Sequence, residues 1–370
     1  MMIFSTKYPM TAESVRRKIF WLLKRLSSYS LWQRKRDAWA YFVQRYENAL
    51  KTWPENKTNG FHPRNIIWSY DALRLYDEGL IELAQGNRQV WQIKTGEFFQ
   101  LFHSADLVES NFYLPCHERG VQREPYPPEV DRLNTLRLTA TYWGDNLLYP
   151  PHGNVCNIYD AAYLLDEDFY SYNSKQLAYP VFPKNLPSVP EGRSIIIKTG
   201  EPVPCDGIWE PVKTQYNHKF LVIKTDVSGF KNLGAYNYFI RGMNAPLQVY
   251  EDMLLADGWG YRDVHWRLIW EDTRYCDGII PDESEYFLDA TQGKRIQCRT
   301  GEQCSHSGQW ATLAGGHQQF AYVRSGDKMP EAKVFSGSSI SQSTFTLAKW
   351  SLLARDDDGS VFINSPDEKN

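Results

Sequence analysis

The sequence predicts an α+β protein, in which an N-terminal helical domain is followed by a C-terminal mainly antiparallel β domain that contains a duplicated unit. Apolar residues recur at helix spacing through the first hundred positions, and short β-branched or aromatic runs separated by turn residues fill the second half. Two stretches of that second half also carry nearly the same pattern. We expect the helical domain at residues 1–187 and the β domain at residues 188–370.

The N-terminal region predicts a helical hairpin. Apolar residues recur at helix spacing over residues 19–26, and Thr11 stands where an N-cap is expected. Ser30 with Gln33 three residues later matches a capping box, so a second helix should begin there and end before Pro54. A third helix is predicted at residues 65–84 and a short one at residues 160–172, and a further apolar segment runs over residues 97–112.

A cluster of four prolines marks the domain boundary, which we expect near residue 188. Pro180, Pro183, Pro187 and Pro190 are too closely spaced for a helix or a central strand to pass through them. Beyond them the chain predicts short strands, at residues 193–198, 220–224, 235–241, 266–270, 295–299, 319–323 and 343–354.

The β domain contains an internal repeat. The segments Lys198–Trp209 and Arg299–Trp310 share a basic residue, Thr-Gly-Glu and Gly-x-Trp at the same spacing, and Tyr238–Gly242 resembles Tyr322–Gly326. The predicted repeats lie at about residues 193–250 and 294–335. Repeated residues are more typical of turns and packing than of an active site, which seldom needs two equivalent copies.

Charge is unevenly distributed along the chain, although the net charge is only −3. Residues 1–53 contain 11 Lys/Arg and 3 Asp/Glu, whereas residues 251–289, the acidic segment, contain 11 Asp/Glu and 3 Arg. The acidic segment is also rich in Trp and Tyr, which makes it the best electrostatic candidate for docking a basic partner. The basic helices at residues 14–36 either face water or form a homodimer.

Cysteine usage and hydropathy indicate a cytoplasmic protein. The six cysteines are scattered without the spacing of a disulfide framework, which is typical of a reducing compartment. The apolar run at residues 19–23 is too short for a signal-peptide core or a membrane span. Neither a membrane nor a nucleic acid is therefore expected as a partner.

No group of residues matches a catalytic or metal site. Cys298, Cys304 and His306 lie close in sequence, but their spacing fits no zinc motif. The carboxylates between Asp277 and Asp289 lack the order of a calcium loop. We therefore predict no cofactor, no metal and no enzyme activity.

The N-terminal helices and the repeated segment together resemble a known group of proteins. The matching N-terminal words are Arg16-Arg17, Leu23-Lys24-Arg25, Ser27-Ser28-Tyr29 and Trp32-Gln33-Arg34. With the Thr-Gly-Glu and Gly-x-Trp segments and the later Met329-Pro330, they resemble bacterial polymorphic-toxin immunity proteins and are similar to the tandem immunity families 71 and 72. The second repeat departs from the pattern at Gln303 and Ser305, where the first has prolines.

The resemblance implies a cytoplasmic antidote that is encoded beside an effector of type VI secretion or a related system. Such a protein binds its cognate toxin in a stoichiometric complex and has no enzyme activity. From the residues we predict that large aromatic anchors with a charged rim bind a basic, nuclease-like toxin. The predicted contact residues are Trp259, Trp266, Trp270, Asp257, Asp263, Glu271, Asp272 and Asp277.

Two other classes of function stay open at this point. The chain is alternatively an enzyme that reverses the toxin's modification, with Glu201 and Glu302 as its carboxylates. It is alternatively a carbohydrate-binding β module, in which the tryptophans of the repeated Gly-x-Trp turns stack on sugars.

Overall fold

The computed structural model confirms the predicted α+β class, with N-terminal helices followed by antiparallel sheets. It describes residues 8–52, 64–112, 133, 137, 158, 160–165, 180–216, 227–251, 258–288, 295–314, 317–335, 343–357, 359 and 361. The helices are α1 (Glu13–Leu26), α2 (Tyr29–Thr52), α3 (Asn65–Leu83), α4 (Glu97–Asn111) and α5 (Ala162–Leu165), with 3₁₀ helices at Arg88–Trp91 and Ser284–Phe287. None of the helices in these ranges is both long and apolar enough to cross a bilayer.

Both predicted helix caps are wrong. Helix α1 follows Ala12 and has no side-chain cap. At the start of α2, the Leu31 backbone N–H donates to the Ser28 hydroxyl at 3.3 Å, while the Ser30 N–H donates to the Glu283 carboxylate at 2.8 Å. A distant side chain thus satisfies a donor that the sequence pattern assigned to a local partner.

Helix α1 is enclosed by the rest of the chain. Ile19, Leu22 and Leu23 have no exposed surface. On the side toward the β structure, the Phe20 ring meets Trp270 edge to face, with centroids 6.0 Å apart. The apolar pattern that predicts α1 therefore serves a contact between helices and sheet as well as a helical bundle.

Several basic residues of the N-terminal helices contact their own chain. The Arg16 guanidinium donates to the Tyr236 hydroxyl at 2.6 Å, and that of Arg25 to the Tyr286 carbonyl at 2.9 Å. The Lys35 ammonium lies 3.5 Å from the centre of the Trp32 ring. These three basic side chains already have partners within the chain. Dimerisation through the basic helices stays a prediction.

The β structure comprises thirteen strands within the described ranges. They are β1 (Ile196–Lys198), β2 (Gly207–Tyr216), β3 (Val227–Asn232), β4 (Asn237–Phe239), β5 (Gln248–Glu251), β6 (Trp259–Arg262), β7 (His265–Glu271), β8 (Gln297–Arg299), β9 (Gly308–Ala314), β10 (His317–Val323), β11 (Ala332–Phe335), β12 (Ser343–Thr346) and β13 (Lys349–Arg355). The predicted strand at residues 220–224 lies outside the described residues. The predicted run 343–354 divides into β12 and β13.

The strands form two β units of like topology, at residues 195–272 (the first β unit) and 296–356 (the second β unit). The first contains a five-stranded sheet ordered β1-β7-β2-β3, with β4 also paired to β2, and the second a four-stranded sheet ordered β8-β13-β9-β10. Each unit adds an antiparallel hairpin, β5–β6 or β11–β12. The likeness continues beyond residues 250 and 335, where the predicted repeats end.

The same internal contacts hold both β units together. The Trp266 indole of β7 donates to the Pro246 carbonyl at 2.9 Å, and the Trp350 indole of β13 donates to the Pro330 carbonyl at 2.9 Å. The helices and the first β unit share one hydrophobic core, whereas the second β unit has a separate core. The predicted boundary near residue 188 therefore lies within a shared core, and the domain limits themselves stay predictions.

The two Thr-Gly-Glu turns have the same geometry. Gly200 and Gly301 have φ angles of 86° and 84°, in the left-handed region that favours glycine. In each turn the glutamate carboxylate accepts a hydrogen bond at 2.8 Å from the backbone N–H three residues earlier, Glu201 from Lys198 and Glu302 from Arg299. The repeated motif is thus a turn closed by its own carboxylate.

Glycine at position 207 is predicted to matter more for stability than glycine at position 200. An alanine Cβ at Gly207 would lie 2.1 Å from the Trp270 carbonyl oxygen at a φ of 155°, whereas Gly200 has open space around it. We expect Gly207→Ala to lower the free energy of unfolding by at least about 3 kcal/mol. Gly200→Ala, the control, should cost about 1 to 2 kcal/mol from its backbone angle alone. Urea unfolding of both variants tests this, and equal losses would contradict it.

Candidate functional site

The structure separates the predicted toxin-contact residues into buried and exposed groups. Trp266 is fully buried in the core, and Asp272 is buried as well. Asp263 and Asp277 are exposed, whereas Trp259, Trp270 and Glu271 are half-buried. Asp257 lies outside the described residues.

The predicted aromatic anchors contact other parts of the same chain. Trp270 packs against Phe20 of helix α1, and the Lys24 ammonium lies 5.3 Å from the centre of the Trp270 ring. Trp266 meets Phe239 edge to face at 4.7 Å inside the first β unit. Trp266 therefore stabilises the sheet, while Trp270 attaches the sheet to the helices.

Asp272 is the centre of a buried ion cluster, formed with Arg88 and Arg274 (the Asp272 cluster). Arg274 donates to both carboxylate oxygens, at 2.9 and 2.8 Å. The Arg88 guanidinium lies 3.1 Å from the same carboxylate, and neither of those two side chains has exposed surface. Arg88 comes from the 3₁₀ helix after α3 and Arg274 lies just beyond the first β unit, so the cluster joins helices to sheet.

The Asp272 cluster is fixed further by hydrogen bonds to helix α1. The Arg274 guanidinium donates to the Lys24 carbonyl at 3.0 Å and to the Ser27 hydroxyl at 2.7 Å. Carbonyls in the last turn of a helix lack backbone partners within that helix, so an arginine is a favourable partner for the Lys24 carbonyl. Arg274 thereby satisfies the carboxylate and the helix end together.

Charge pairing determines the protonation state of Asp272. Burial alone would raise the pKa of this carboxyl, but the charge and hydrogen bonds of Arg274, together with the charge of Arg88, outweigh burial and hold its pKa below its usual range. The Tyr238 hydroxyl donates to Asp272 at 2.7 Å, and burial followed by the nearby carboxylate raises the pKa of Tyr238. The cluster therefore holds an ionised aspartate beside a neutral tyrosine.

Part of the acidic segment serves as a cap for helix α2. The Tyr29 N–H donates to the Tyr275 hydroxyl at 2.8 Å, and the Ser30 N–H donates to Glu283 at 2.8 Å. Tyr275 in turn donates to Glu283. A carboxylate at a helix N-terminus is favoured by the free N–H groups and by the helix dipole.

Three residues of this region were not predicted from the sequence, and all of them act between the helices and the first β unit. They are Arg88, Arg274 and Tyr275.

A surface groove lies where the helices meet the acidic segment. It has a volume of about 660 Å³ and is lined by Tyr29, Gln33, Arg36, Asp77, Leu80, Ile81, Ala84, Gln85 and Gly278. Ile81 is 61% exposed and Ile279, next to Gly278, is 65% exposed. Asp277 on the other side of Gly278 is exposed too. Exposed isoleucines beside carboxylates form a surface that suits a protein partner with apolar and basic groups.

The residues behind the two alternative functions have structural roles. Glu201 and Glu302 accept backbone hydrogen bonds within their turns. Trp209 and Trp310, the tryptophans of the Gly-x-Trp motifs, have no exposed surface on which a sugar could stack. The observation that favoured a carbohydrate-binding module therefore does not hold.

Thiols and carboxylates do not assemble into a metal site in the described part of the chain, where no three His, Cys, Asp or Glu side chains are grouped to hold a metal ion. Cys298 and Cys304 are buried free thiols. The Cys304 sulfur lies 3.0 Å from the His306 carbonyl oxygen, a contact typical of a packed thiol.

The helices and the first β unit, which the buried ion cluster joins, each match a family of immunity proteins. Residues 10–113 match the family Immunity protein 71, and residues 188–288 match the family Immunity protein 72. The resemblance to tandem immunity proteins is confirmed. Arg88 lies in the first matched segment and Asp272 in the second, so the Asp272 cluster joins the two. No curated protein and no solved structure shows significant similarity to the chain.

Asp272→Asn should destabilise the protein in a pH-dependent way. At pH 7 the variant removes the carboxylate that pairs with Arg88 and Arg274 and leaves Arg274 only the more distant Glu283, at 3.7 Å, so we expect a loss of about 3 to 5 kcal/mol. The folded pKa of Asp272 is lowered, so its contribution is full above an unfolded pKa of about 3.9 and is lost as the pH falls through the folded value.

The difference between wild type and Asp272→Asn should therefore narrow below about pH 4. Urea unfolding at several pH values measures it. Asp277→Asn, an exposed control, should change stability by less than about 0.5 kcal/mol. A difference in stability between wild type and Asp272→Asn that stays constant down to pH 3 would show that the ionised form of Asp272 does not stabilise the fold.

Proposed function

We propose that this chain is the immunity partner of a toxin, that it acts in the cytoplasm, and that it neutralises the toxin by forming a direct stoichiometric complex. The observation that carries the proposal is the pair of family matches, in which segments of two immunity families share one hydrophobic core. The toxin's delivery by type VI secretion or a related system is proposed from the resemblance alone. The free thiols of Cys205, Cys276, Cys298 and Cys304 are consistent with a reducing compartment.

We propose a non-enzymatic mechanism. Glu201 and Glu302, the carboxylates of the enzyme alternative, occupy equivalent positions in two turns and hold the backbone there. Burial raises the pKa of the Cys205 thiol to about 11, with smaller contributions from Glu271 and Asp206, so this cysteine is a poor nucleophile at neutral pH. Binding without turnover needs only a complementary surface.

We propose that Asp263 and Asp277 are contact positions for a basic toxin. Both carboxylates are exposed, and neither belongs to the Asp272 cluster. Asp277 also adjoins Gly278, which lines the groove together with the exposed Ile81. Rim charges of this kind accelerate association with an oppositely charged partner and give it a salt dependence.

Co-expression with the product of the adjacent upstream gene tests the proposed function. We expect a stable complex of fixed stoichiometry in a pull-down, together with rescue of bacterial growth. A double variant with Glu201→Gln and Glu302→Gln should protect cells as well as wild type does, because the proposed mechanism gives the two replaced carboxylates no chemical role.

The other outcomes of that experiment distinguish the alternatives. Suppose that the wild type rescues growth without forming a complex and that the folded Glu201→Gln, Glu302→Gln variant fails to rescue. That result would establish the alternative function, an enzyme that reverses the toxin's modification. A complex without rescue would leave binding without neutralisation, and absence of both would reject the proposed function.

Charge reversal at Asp263 and Asp277 should weaken toxin binding. We expect the double variant Asp263→Lys and Asp277→Lys to lower affinity by about tenfold or more, chiefly through slower association. The salt dependence of the association rate should also become shallower, since fewer opposite charges attract one another. Surface plasmon resonance at several salt concentrations gives both quantities.

Glu191→Lys is the control for a change of charge at an exposed position outside the proposed contact. It should alter affinity by less than about twofold. If the double variant behaved like Glu191→Lys, the two aspartates would not be contact positions.

A further inference from the structure

The two β units contain the same tyrosine–aspartate pair. In the first unit the Tyr238 hydroxyl donates to Asp272 at 2.7 Å, and in the second the Tyr322 hydroxyl donates to Asp356 at 2.5 Å. Each tyrosine lies on a strand that pairs with the Gly-x-Trp strand, β4 with β2 and β10 with β9. Each aspartate follows the Gly-x-Trp strand's other neighbour, β7 or β13. The pairs therefore occupy corresponding places on corresponding sheet faces.

The surroundings of the two pairs differ. Tyr238 is 1% exposed, because the Trp91 ring packs edge to face on it at 6.1 Å and Arg88 reaches its aspartate. Tyr322 is 56% exposed, and Asp356 is exposed as well. The first β unit thus uses this face to dock helices, while the second β unit presents the corresponding face to solvent.

The exposed face also differs in charge. In the first β unit Asp272 is followed two positions later by Arg274, which neutralises it at 2.8 Å. In the second β unit the sequence after Arg355 is Asp356-Asp357-Asp358, with an aspartate at the position of that arginine. Arg355 pairs with Asp357 at 2.5 Å, and Arg324, which follows β10, lies close enough to Tyr322 to interact with its hydroxyl. The Tyr322–Asp356 pair therefore has an arginine beside its tyrosine, but within the described residues its aspartate has no arginine partner of the kind that Asp272 has.

We propose that the Tyr322–Asp356 face of the second β unit binds a helical, cationic surface of the toxin, with an arginine of the toxin placed against Asp356. This inference rests on the proposed function and assigns a second contact surface to it. The docked helices of the first β unit show which occupant this sheet face accepts: a helical surface with a ring against the tyrosine and a guanidinium against the aspartate. The acidic run makes a cationic occupant favourable.

The test compares Asp356→Arg with Glu331→Arg in the full-length chain, using the purified toxin from the co-expression experiment. Glu331 is exposed and adjoins Pro330, whose carbonyl accepts from Trp350 at the start of β13, whereas Asp356 follows the end of that strand. The two variants therefore carry the same charge change at opposite ends of one strand. Both sites are exposed, so the thermal midpoint should stay within about 2 °C of wild type.

We expect Asp356→Arg to weaken toxin binding by about tenfold or more, and Glu331→Arg by less than about twofold. Tyr322→Phe, which removes only the hydroxyl, should weaken binding by about threefold, since it removes the hydrogen bond that orients Asp356. Binding by Asp356→Asn should depend less steeply on salt than binding by wild type.

Three results would overturn this inference. Toxin binding that is unchanged in Asp356→Arg would reject the surface while leaving the proposed function intact. Loss of a homodimer in sedimentation, with toxin binding retained, would assign the face to a second copy of the chain. A wild-type protein that neither binds the toxin nor protects cells would reject the proposed function itself, and this inference with it.

Discussion

The placement of the helices on the first β unit depends on the Asp272 cluster, in which one buried aspartate pairs with two arginines. Hydrophobic burial holds the surfaces together, but it is non-directional and fixes no register between them. The bidentate contact of Arg274 with Asp272, and the reach of Arg274 to the end of α1, are directional. The groove is lined by residues of the helical region and by Gly278 of the acidic segment, so its shape depends on how the helices are placed against that segment.

The same sheet topology occurs twice in this chain, in two different environments. The turns, the buried tryptophans and the strand order are common to both β units. The face that carries the tyrosine–aspartate pair is covered in the first unit and open in the second. Packing residues are kept in both copies because each copy needs its own core, whereas surface residues are free to differ.

The sequence predicted much of the fold, because helix periodicity and the repeat are local signals. The helices, the β-rich second half and the Thr-Gly-Glu turns are examples. Strands such as β2 escaped prediction, since Pro211 lies inside it and Gly207 opens it, and both residues ordinarily interrupt strands. Caps were assigned to Thr11 and Ser30 because local reasoning cannot anticipate an acceptor such as Glu283.

The candidate site was less predictable, for a physical reason. Composition identifies an acidic, aromatic segment, but it does not distinguish carboxylates that face solvent from those that pair internally. Asp272 and Asp277 lie in the same acidic segment, yet Asp272 is buried between arginines and Asp277 is exposed. The folded positions of Arg274 and of Arg88, which lies far away in sequence, separate them. Buried pairs of this kind become visible when the chain is folded.

The cap on α2 sets an order of events during synthesis. Ser30 and Glu283 are 253 residues apart in the chain. At a ribosomal rate of about 5 to 20 residues per second, the helical segment waits roughly 13 to 50 seconds before its capping carboxylate is made. Through that interval the apolar side of α1 has no sheet to cover it. The nascent N-terminal segment therefore exposes apolar surface during synthesis, and the helices can pack on the first β unit only after that unit has emerged.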